Sequence, residues 1–477
     1  INMKSEYDSK TRKGKLIYPE KIIERSLGKV PPSKDLIDKH LHKRGGMFRI
    51  SLMFTAIFSV IGILGIILKI FNGFDNLSDW SVYVTACVFI FTTFMGAPML
   101  SMATKVARGN WRRPVSRLSE IFCISGIAGL LMFLPMLWVL PSLEDGRNTL
   151  WFYEAGKVPA YSPHIWTTIV MIAFILTALA LLWINARPDF AILRDNSKGK
   201  NKIYSFLSWG WVGSTKQWNS LRQRISILGI FYFMLLITVH FCLASDFLMT
   251  LLPGWVDSLY PVTQAHNAIQ GGVAVLIIAV FIAWKWGGYK QYIGLDQFWG
   301  LGKLLFGISL LWVWFFISSL MVLWYGKKPN ERDVLQILMF GKYLPVFLGT
   351  IFFVFIIPFT LLILNNVRKS FYGPPIIAIS VLIGNFLDRF RHYSSAYSLD
   401  RTIDENTHRF ANLPEIFVPS IVDIMVLLGA ISLPIFLILI ISKYVPIISL
   451  WENREYIIYG SHEKYHHTEV LVEGKPY

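Results

Sequence analysis

The sequence is poor in charged residues. Of its 477 residues only 16% are charged, while 54% are hydrophobic; soluble domains are about 25% charged. Such a chain has too few polar residues to cover an ordinary soluble enzyme, so the composition predicts a protein that faces lipid. The net charge of +16 could indicate nucleic-acid binding, but the basic residues stand in short stretches between apolar runs. Without a polar basic domain, DNA binding is disfavoured.

Cysteine is also scarce. The three cysteines, Cys87, Cys123 and Cys242, lie inside apolar runs, and none belongs to the CxxC spacing of zinc and iron–sulfur sites. A haem b site needs two facing histidines, but only His240 lies deep inside an apolar run. We therefore expect no intrinsic metal, haem or iron–sulfur cluster, and we assign any such group to partner proteins. The histidine-rich segment 461–467 is expected to be a solvated tail.

Long apolar runs are what the sequence has in abundance. A helix needs about 20 apolar residues to cross roughly 30 Å of hydrocarbon, and ten runs meet this requirement. They predict an all-α membrane protein with about ten transmembrane helices. The predicted spans are 48–70, 82–104, 120–140, 165–184, 225–252, 268–286, 304–324, 343–364, 375–391 and 418–443.

Loop charge predicts how the spans are oriented, because Lys and Arg accumulate in cytoplasmic loops. The loops after spans 2 and 4 are rich in basic residues, whereas loops 71–81, 141–164 and 253–265 lean acidic. We call these two sides the basic face and the acidic face. The basic face is expected to be cytoplasmic, together with the polar tails 1–47 and 444–477. Residues 392–417 then form a long external loop.

Two ionisable residues deep in span 5 are the first candidates for function, because charge inside a membrane is costly. His240 and Asp246 are six helical residues apart, which places them about 120° apart around the helix and about 9 Å apart along it. They cannot bond to each other directly. The alternatives are successive stations of a proton path, two borders of one cavity, or ordinary interhelical hydrogen bonds.

Three other acids lie near span ends. Glu120, at the start of span 3, is either a proton entry point or a carboxylate stabilised by the helix dipole. Asp388 and Asp423 lie towards the acidic face. Asp388 is followed by Arg389 and, three positions on, by Arg391, which is most simply explained by a local ion pair at the membrane rim.

Three ring-bearing side chains near the acidic face have two explanations each. His164 and His266 lie at the acidic-face ends of spans 4 and 6, where each either meets a quinone head or sits at the interface. Trp255 fits an interfacial aromatic belt, with quinone stacking as the alternative.

Ordered motifs between residues 185 and 331 resemble a known family. They read Asn185-Ala-Arg-Pro-Asp189, Leu207-Ser-Trp-Gly-Trp-Val-Gly-Ser-Thr-Lys-Gln-Trp218, Val239-His-Phe-Cys-Leu-Ala-Ser-Asp-Phe247, Leu252-Pro-Gly-Trp255, Leu301-Gly-Lys-Leu-Leu-Phe306 and Trp324-Tyr-Gly-Lys-Lys-Pro-Asn-Glu331. This pattern resembles the NrfD/polysulfide-reductase C family of membrane subunits. Within it, the pattern is similar to the ten-span ActC and ActF subunits of alternative complex III, above all to ActF. The resemblance covers roughly residues 80–400.

The resemblance implies a fold and a function. It implies two four-helix bundles, residues 82–252 (spans 2–5) and 253–391 (spans 6–9), with span 1 and its loop (48–81) and span 10 (418–443) outside them. It implies a respiratory subunit of the bacterial inner membrane that docks an external iron–sulfur protein, a multihaem cytochrome c and a second NrfD-like subunit. Such a complex oxidises a quinol, for example menaquinol, and passes electrons to a cytochrome c type acceptor. Its haem c and iron–sulfur clusters reside on the partners.

One departure from the family pattern bears on the role of this chain. In quinol-binding members, span 3 ends in a His-Leu-Gly-Arg-Pro pattern and span 4 starts with Trp-Asp, but here the sequence reads Leu143-Glu-Asp-Gly-Arg147-Asn and Trp166-Thr167. Both candidate proton acceptors are missing. We therefore expect a proton pathway from a set of buried ionisable residues: Asp246, His240, Glu120, Asp423 and Asp388. The alternative is a substitute quinol site drawn from Arg147, His164, Asp246, His266 and Trp255.

Two further functions fit the sequence. A quinone-reactive membrane anchor of a molybdopterin and iron–sulfur oxidoreductase belongs to the same family and differs in its partners. A secondary transporter is less favoured, because transporters place their sites at matched broken helices, and Pro98, Pro135 and Pro358 form no matched pair. Whether the chain is catalytic or only a quinone-binding subunit stays open at this point.

Overall fold

The computed structural model describes residues 7–8, 13–14, 33–42, 45–107, 109–143, 147–151, 158–197, 202–326, 329–400, 402–404, 409–410, 412–465 and 468–473. Most of the predicted N-terminal tail lies outside the described residues. So do residues 144–146 and 152–157 of the predicted acidic loop, and His466 and His467 of the histidine-rich segment.

The chain is an all-α membrane protein with about ten spans, which confirms the predicted fold class. Nine helices in the described ranges are long and apolar enough to cross a membrane. These are Gly46–Phe71 (span 1), Leu77–Val106 (span 2), Asn110–Val139 (span 3), His164–Asn196 (span 4), Thr215–Leu251 (span 5), Leu259–Lys285 (span 6), Leu295–Gly326 (span 7), Leu344–Leu362 (span 8) and Ile421–Ile441 (span 10). Span 9, Gly373–Tyr397, is also long enough, but its second half carries several charges.

Four of the spans consist of more than one helical segment. Span 2 comprises Leu77–Trp80, Ser81–Thr93 and Ala97–Val106; span 3 comprises Asn110–Arg112, Arg113–Ile121, Phe122–Ile124 and Ser125–Val139; span 5 comprises Thr215–Asp246 and Met249–Leu251; span 8 comprises Leu344–Ile351, Phe352–Ile356 and Ile357–Leu362. In span 2, Pro98 near the start of the third segment explains the break after Thr93, because proline lacks the N–H that would continue the preceding helix.

Short elements cover the two faces between the spans. On the basic face lie Ser33–His42, Lys202–Ser208, Asn365–Arg368 and Leu450–Tyr459, which we call the C-terminal helix. On the acidic face lie Pro329–Leu335 and Gln336–Phe340. Three antiparallel strand pairs complete the described chain: Tyr7–Asp8 with Lys13–Gly14, Ile403–Asp404 with Arg409–Phe410, and Gly460–Tyr465 with Thr468–Glu473.

Several helices extend past the limits predicted from apolar runs, because polar residues continue a helix beyond the hydrocarbon layer. Span 4 continues to Asn196 instead of ending at 184, and span 5 begins at Thr215 instead of 225. A capping box between Ser214 and Gln217 fixes that start. Span 9 continues to Tyr397, so the loop predicted from 392 begins later. The predicted C-terminal tail contains a helix and a strand pair.

Spans 2, 5, 6 and 9 pack against one another near the centre of the helix assembly. Span 2 packs against spans 6 and 9, and span 5 packs against span 6. Glycines permit the closest approach, since a Cβ on Gly272 of span 6 would lie 2.2 Å from the carbonyl carbon of Gly96 in span 2. The Tyr393 hydroxyl donates to the Leu243 carbonyl at 3.2 Å and links span 9 to span 5.

Spans 1 and 10 pack on each other beside spans 2 and 3. Near the acidic face, the Lys69 ammonium lies 2.7 Å from Asp423 Oδ1, and both side chains are buried. Asp423 also completes a capping box with Ser420 at the start of span 10. In the middle of this pair of helices, Gly62 and Gly429 face each other: a Cβ on Gly62 would lie 2.2 Å from the Gly429 Cα.

We expect Gly62→Ala to lower the unfolding temperature of the purified protein. The added methyl group would meet backbone atoms of Gly429, which cannot rotate away, so spans 1 and 10 must separate. The measurement is thermal unfolding in detergent, monitored by tryptophan fluorescence. Gly307→Ala is the matched control, because a Cβ there meets nothing within 4 Å. Equal unfolding temperatures for the two variants would contradict the close packing of spans 1 and 10.

Candidate functional site

A buried carboxylate lies near the acidic face, at the end of span 5. Asp246 ends the long helix of span 5, and its side chain is buried. Its Oδ1 accepts hydrogen bonds from the Thr149 hydroxyl at 2.8 Å and from the Leu150 N–H at 2.9 Å. Its Oδ2 is buried and accepts no hydrogen bond from the described residues. Such an oxygen is suited to accept a proton or a hydrogen bond from a ligand.

Arg147 and Trp151 surround this carboxylate. The Arg147 guanidinium donates to the Asp246 main-chain carbonyl at 3.0 Å and to the Thr250 hydroxyl at 3.2 Å. The Trp151 indole donates to the Thr167 hydroxyl at 3.2 Å, and Thr167 occupies the position where the family pattern has aspartate. Arg147 and Asp246, which the sequence suggested for quinone binding and proton transfer respectively, therefore form one site. We call it the Asp246 site.

The three candidate histidines lie outside the Asp246 site. His240 donates through Nδ1 to the Leu236 carbonyl of its own helix at 2.7 Å. His164 Nε2 donates to the Leu137 carbonyl at 2.8 Å and ties span 4 to span 3. His266 Nε2 donates to the Ile308 carbonyl at 2.9 Å and ties span 6 to span 7. In each case one ring nitrogen holds a helix backbone.

A second polar cluster lies at the acidic face of spans 6, 7 and 9. Asp388 accepts hydrogen bonds from Arg391 at 2.8 and 3.2 Å and lies 3.4 Å from Arg389. The sequence predicts this ion pair at the membrane rim, but the three side chains are buried inside the helix bundle, because span 9 packs against spans 2 and 6 along this stretch. The His392 imidazole stacks on the Trp255 indole, with ring centroids 6.1 Å apart.

This cluster borders a cavity of about 40 Å³. Four buried polar atoms of its lining have no hydrogen-bond partner among the described residues: Trp255 Nε1, Tyr260 OH, Gln264 Oε1 and Trp312 Nε1. The volume suits one or two water molecules, whereas pockets for small-molecule ligands measure about 300–1,000 Å³. We therefore assign no quinone to this cavity.

A buried network of charges lies at the basic face. Arg117 is at its centre, with one nitrogen 2.8 Å from Glu120 Oε2 and another 3.0 Å from Asp189 Oδ2. Lys105 pairs with Glu120 at 2.7 Å and with Glu452 of the C-terminal helix at 3.3 Å. Glu120, which the sequence suggested as either a proton entry point or a helix-start carboxylate, is thus held by two cations.

The C-terminal helix is fixed by this network. Asp189 Oδ1 accepts the N–H groups of Leu450 and Trp451 at 2.9 and 3.1 Å, so a side chain of span 4 caps the first turn. Glu452 pairs with Arg112 at 3.2 Å as well as with Lys105. The sequence analysis did not predict that the C-terminal helix binds to this network. It did identify two of the segments involved, the motif that contains Asp189 and the basic loop after span 2.

We expect Glu452→Gln to lower the unfolding temperature at neutral pH. Burial would raise the pKa of Glu452, but Lys105, Arg112 and Arg117 outweigh burial and hold the pKa at about 2. Between pH 4.5 and about 2, the Glu452 carboxyl therefore stays charged in the folded protein, whereas in the unfolded protein it protonates near pH 4.5. The difference in unfolding temperature between wild type and variant should narrow as the pH falls from 4.5 towards 2. A difference that stays constant over this range would contradict the pairing.

None of the described residues forms a group of three or more His, Cys, Asp or Glu side chains placed to hold a metal ion. Asp423, another proton-pathway candidate, is separated from the Asp246 site and is committed to Lys69 and Ser420. Among the predicted residues, the structure thus brings together Arg147 with Asp246, and Trp255 with Asp388.

Comparison with known proteins gives an informative relative. The chain is 21% identical over 433 residues to a selenate reductase subunit of Mesobacillus selenatarsenatis, and the alignment covers 87% of this chain and 97% of the relative. No family model matches. The similarity is consistent with the NrfD-like resemblance of the motifs and supports a multi-pass membrane subunit in electron transport, without distinguishing the ActF type.

Proposed function

We propose that this chain is the quinone-reactive membrane anchor of a molybdopterin-containing oxidoreductase. The observation that carries the proposal is the similarity to a protein named as a selenate reductase subunit over nearly the whole length of both chains. It favours this role over membership of alternative complex III, which rests on the sequence motifs alone. In this role the chain has an iron–sulfur partner and a catalytic partner, which hold the redox centres.

The orientation proposed from loop charge places the Asp246 site towards the outside of the bacterial inner membrane. The basic loops then remain in the cytoplasm, as the positive-inside rule requires. A partner that docks on the acidic face would stand close to the Asp246 site. The electrons and protons released when a quinol is oxidised there would then leave the membrane on the same, external side.

Quinol oxidation releases two electrons and two protons, so the membrane subunit must supply a proton acceptor. Asp246 Oδ2 is suited to that task, because Thr149 and Leu150 occupy Oδ1 and leave Oδ2 for the substrate hydroxyl. The Arg147 guanidinium lies beside this residue, and its positive charge stabilises the carboxylate between turnovers. The two electrons pass to the iron–sulfur partner. Asp246 takes up the two protons one after the other and releases the first to the external water before it accepts the second.

The composition of the native complex tests the proposal. The complex is extracted in mild detergent through an affinity tag, and its chains are identified by mass spectrometry. Molybdenum is measured by elemental analysis, iron–sulfur clusters by electron paramagnetic resonance, and haem c by absorbance. We expect molybdenum and iron–sulfur signals with a molybdopterin subunit. Haem c with a second NrfD-like chain would instead support alternative complex III, and a solitary chain without cofactors would support a transporter.

A further inference from the structure

A pocket of about 330 Å³ opens at the basic face, far from the Asp246 site. It lies between the end of span 4, the start of span 5 and the C-terminal helix. Three indoles form much of its wall: Trp211 packs edge-on against Trp218 with centroids 5.1 Å apart, and Trp218 contacts Trp451 at 5.4 Å. The volume lies in the range of small-molecule binding sites.

Of the two cations that the described residues place in the lining, one is uncommitted. Arg194 pairs with Asp195 at 2.8 Å, and Glu455 pairs with Arg113. Arg454, on the exposed side of the C-terminal helix, has no ion pair or hydrogen bond with the other described residues. The pocket therefore offers one free guanidinium beside aromatic walls. A guanidinium of this kind recognises a phosphate group.

A row of exposed apolar side chains leads to the pocket and ends at Val212. Large hydrophobic side chains recur at every third position along Lys202–Ser208 and the turn that follows. Their exposed fractions are 47% for Ile203, 70% for Phe206, 64% for Trp209 and 77% for Val212. Val212 also lines the pocket. Such a row of exposed apolar residues, next to Lys202 and several tryptophans, is typical of a segment that lies in the membrane interface.

We propose that this pocket binds the headgroup of a phospholipid. Arg454 binds the phosphate, the indoles enclose the headgroup, and Val212 and Trp209 contact the start of the acyl chains. The exposed apolar row that ends at Val212 argues for a lipid, because a free phosphate ion would make no use of it. A lipid in this position bridges spans 4 and 5 to the C-terminal helix. The inference is independent of the redox role of the chain.

Native mass spectrometry of the purified complex tests the proposal by counting retained phospholipids. We expect Arg454→Gln to reduce retention at this site about five- to tenfold, the loss expected for one arginine. Arg222→Gln is the matched control, because it removes an exposed basic residue of span 5 that does not line the pocket. Ile192→Trp, which fills the pocket from span 4, should remove the same lipid and leave Arg454 in place.

A second measurement separates a lipid from a soluble phosphate. The delipidated wild-type complex is heated with phosphatidylethanolamine, with phosphatidylglycerol or with inorganic phosphate, and its unfolding temperature is recorded. We expect a rise with at least one phospholipid and none with inorganic phosphate, and a smaller rise for Arg454→Gln than for Arg222→Gln. Equal protection by inorganic phosphate, or equal lipid retention in the Arg454 and Arg222 variants, would overturn the proposal.

Discussion

Asp246→Asn is expected to lower the quinol-dependent turnover of the assembled complex by about 100-fold or more, the usual contribution of a general base. Asparagine keeps the shape of the side chain, and its carbonyl oxygen still accepts from Thr149 and Leu150. What it loses is the ability to take up a proton at the second oxygen. The variant should therefore assemble normally and fail only in the step that uses quinol.

Two controls make this result specific. Reduction of the substrate by a viologen dye bypasses the membrane subunit and should be unchanged in the Asp246→Asn complex. Asp423→Asn alters another buried acid near the acidic face, but one committed to Lys69, and should retain turnover per assembled complex. If Asp246→Asn shows unchanged quinol turnover and proton release, the proposed role of Asp246 is wrong. Asp246→Glu, which restores a carboxylate, should recover part of the activity.

Arg117→Met is expected to destabilise the protein by about 3–5 kcal/mol, because removing one member of a buried charge network leaves its partners uncompensated. Glu120 and Asp189 would each lose a charge-assisted hydrogen bond. Asp189 also holds the first turn of the C-terminal helix. The variant should unfold at a lower temperature, and a protease should cleave the segment between span 10 and that helix more rapidly.

Arg222→Met is the control, since it removes an exposed arginine from span 5. Arg117→Lys should fall between wild type and Arg117→Met, because an ammonium cannot reach both carboxylates in the fork geometry of a guanidinium. If Arg117→Met and Arg222→Met lose the same stability, the network contributes nothing beyond ordinary surface charge. The proteolysis experiment also distinguishes two causes of instability. Faster cleavage at a temperature where the rest of the protein is still folded shows that the C-terminal helix detaches by itself, before the whole protein unfolds.

The spans could be predicted from the sequence because hydropathy is a local property. Runs of about 20 apolar residues have few alternatives to a membrane helix, and ten such runs located the ten helices. Their ends were less predictable: the Ser214–Gln217 capping box and the buried turn after Arg391 extend helices through polar residues. These extensions depend on hydrogen bonds and packing, and the hydropathy of a sequence window contains no information about either.

The pairing of charged residues could not be predicted in the same way. Asp423 pairs with Lys69, and Glu452 with Lys105, across hundreds of residues and between helices whose neighbours follow only from packing. The Asp246 site shows the same limit. The sequence indicated Arg147 and Asp246 as separate candidates, but a folded loop had to bring Thr149 and Leu150 to the carboxylate.

The position of the C-terminal helix has a consequence for how the protein is made. Leu450–Tyr459 is translated after all ten spans, yet its Glu452 supplies the carboxylate that pairs with Arg112 and that joins Glu120 in pairing with Lys105, next to spans inserted much earlier. During synthesis, Lys105 can pair with Glu120 of span 3, but Arg112 lacks the Glu452 carboxylate until the C-terminal helix is made. Completion of this charge network is therefore a late, post-insertion event. A chain that ends before residue 450 would carry this defect and expose an unpaired arginine at the basic face.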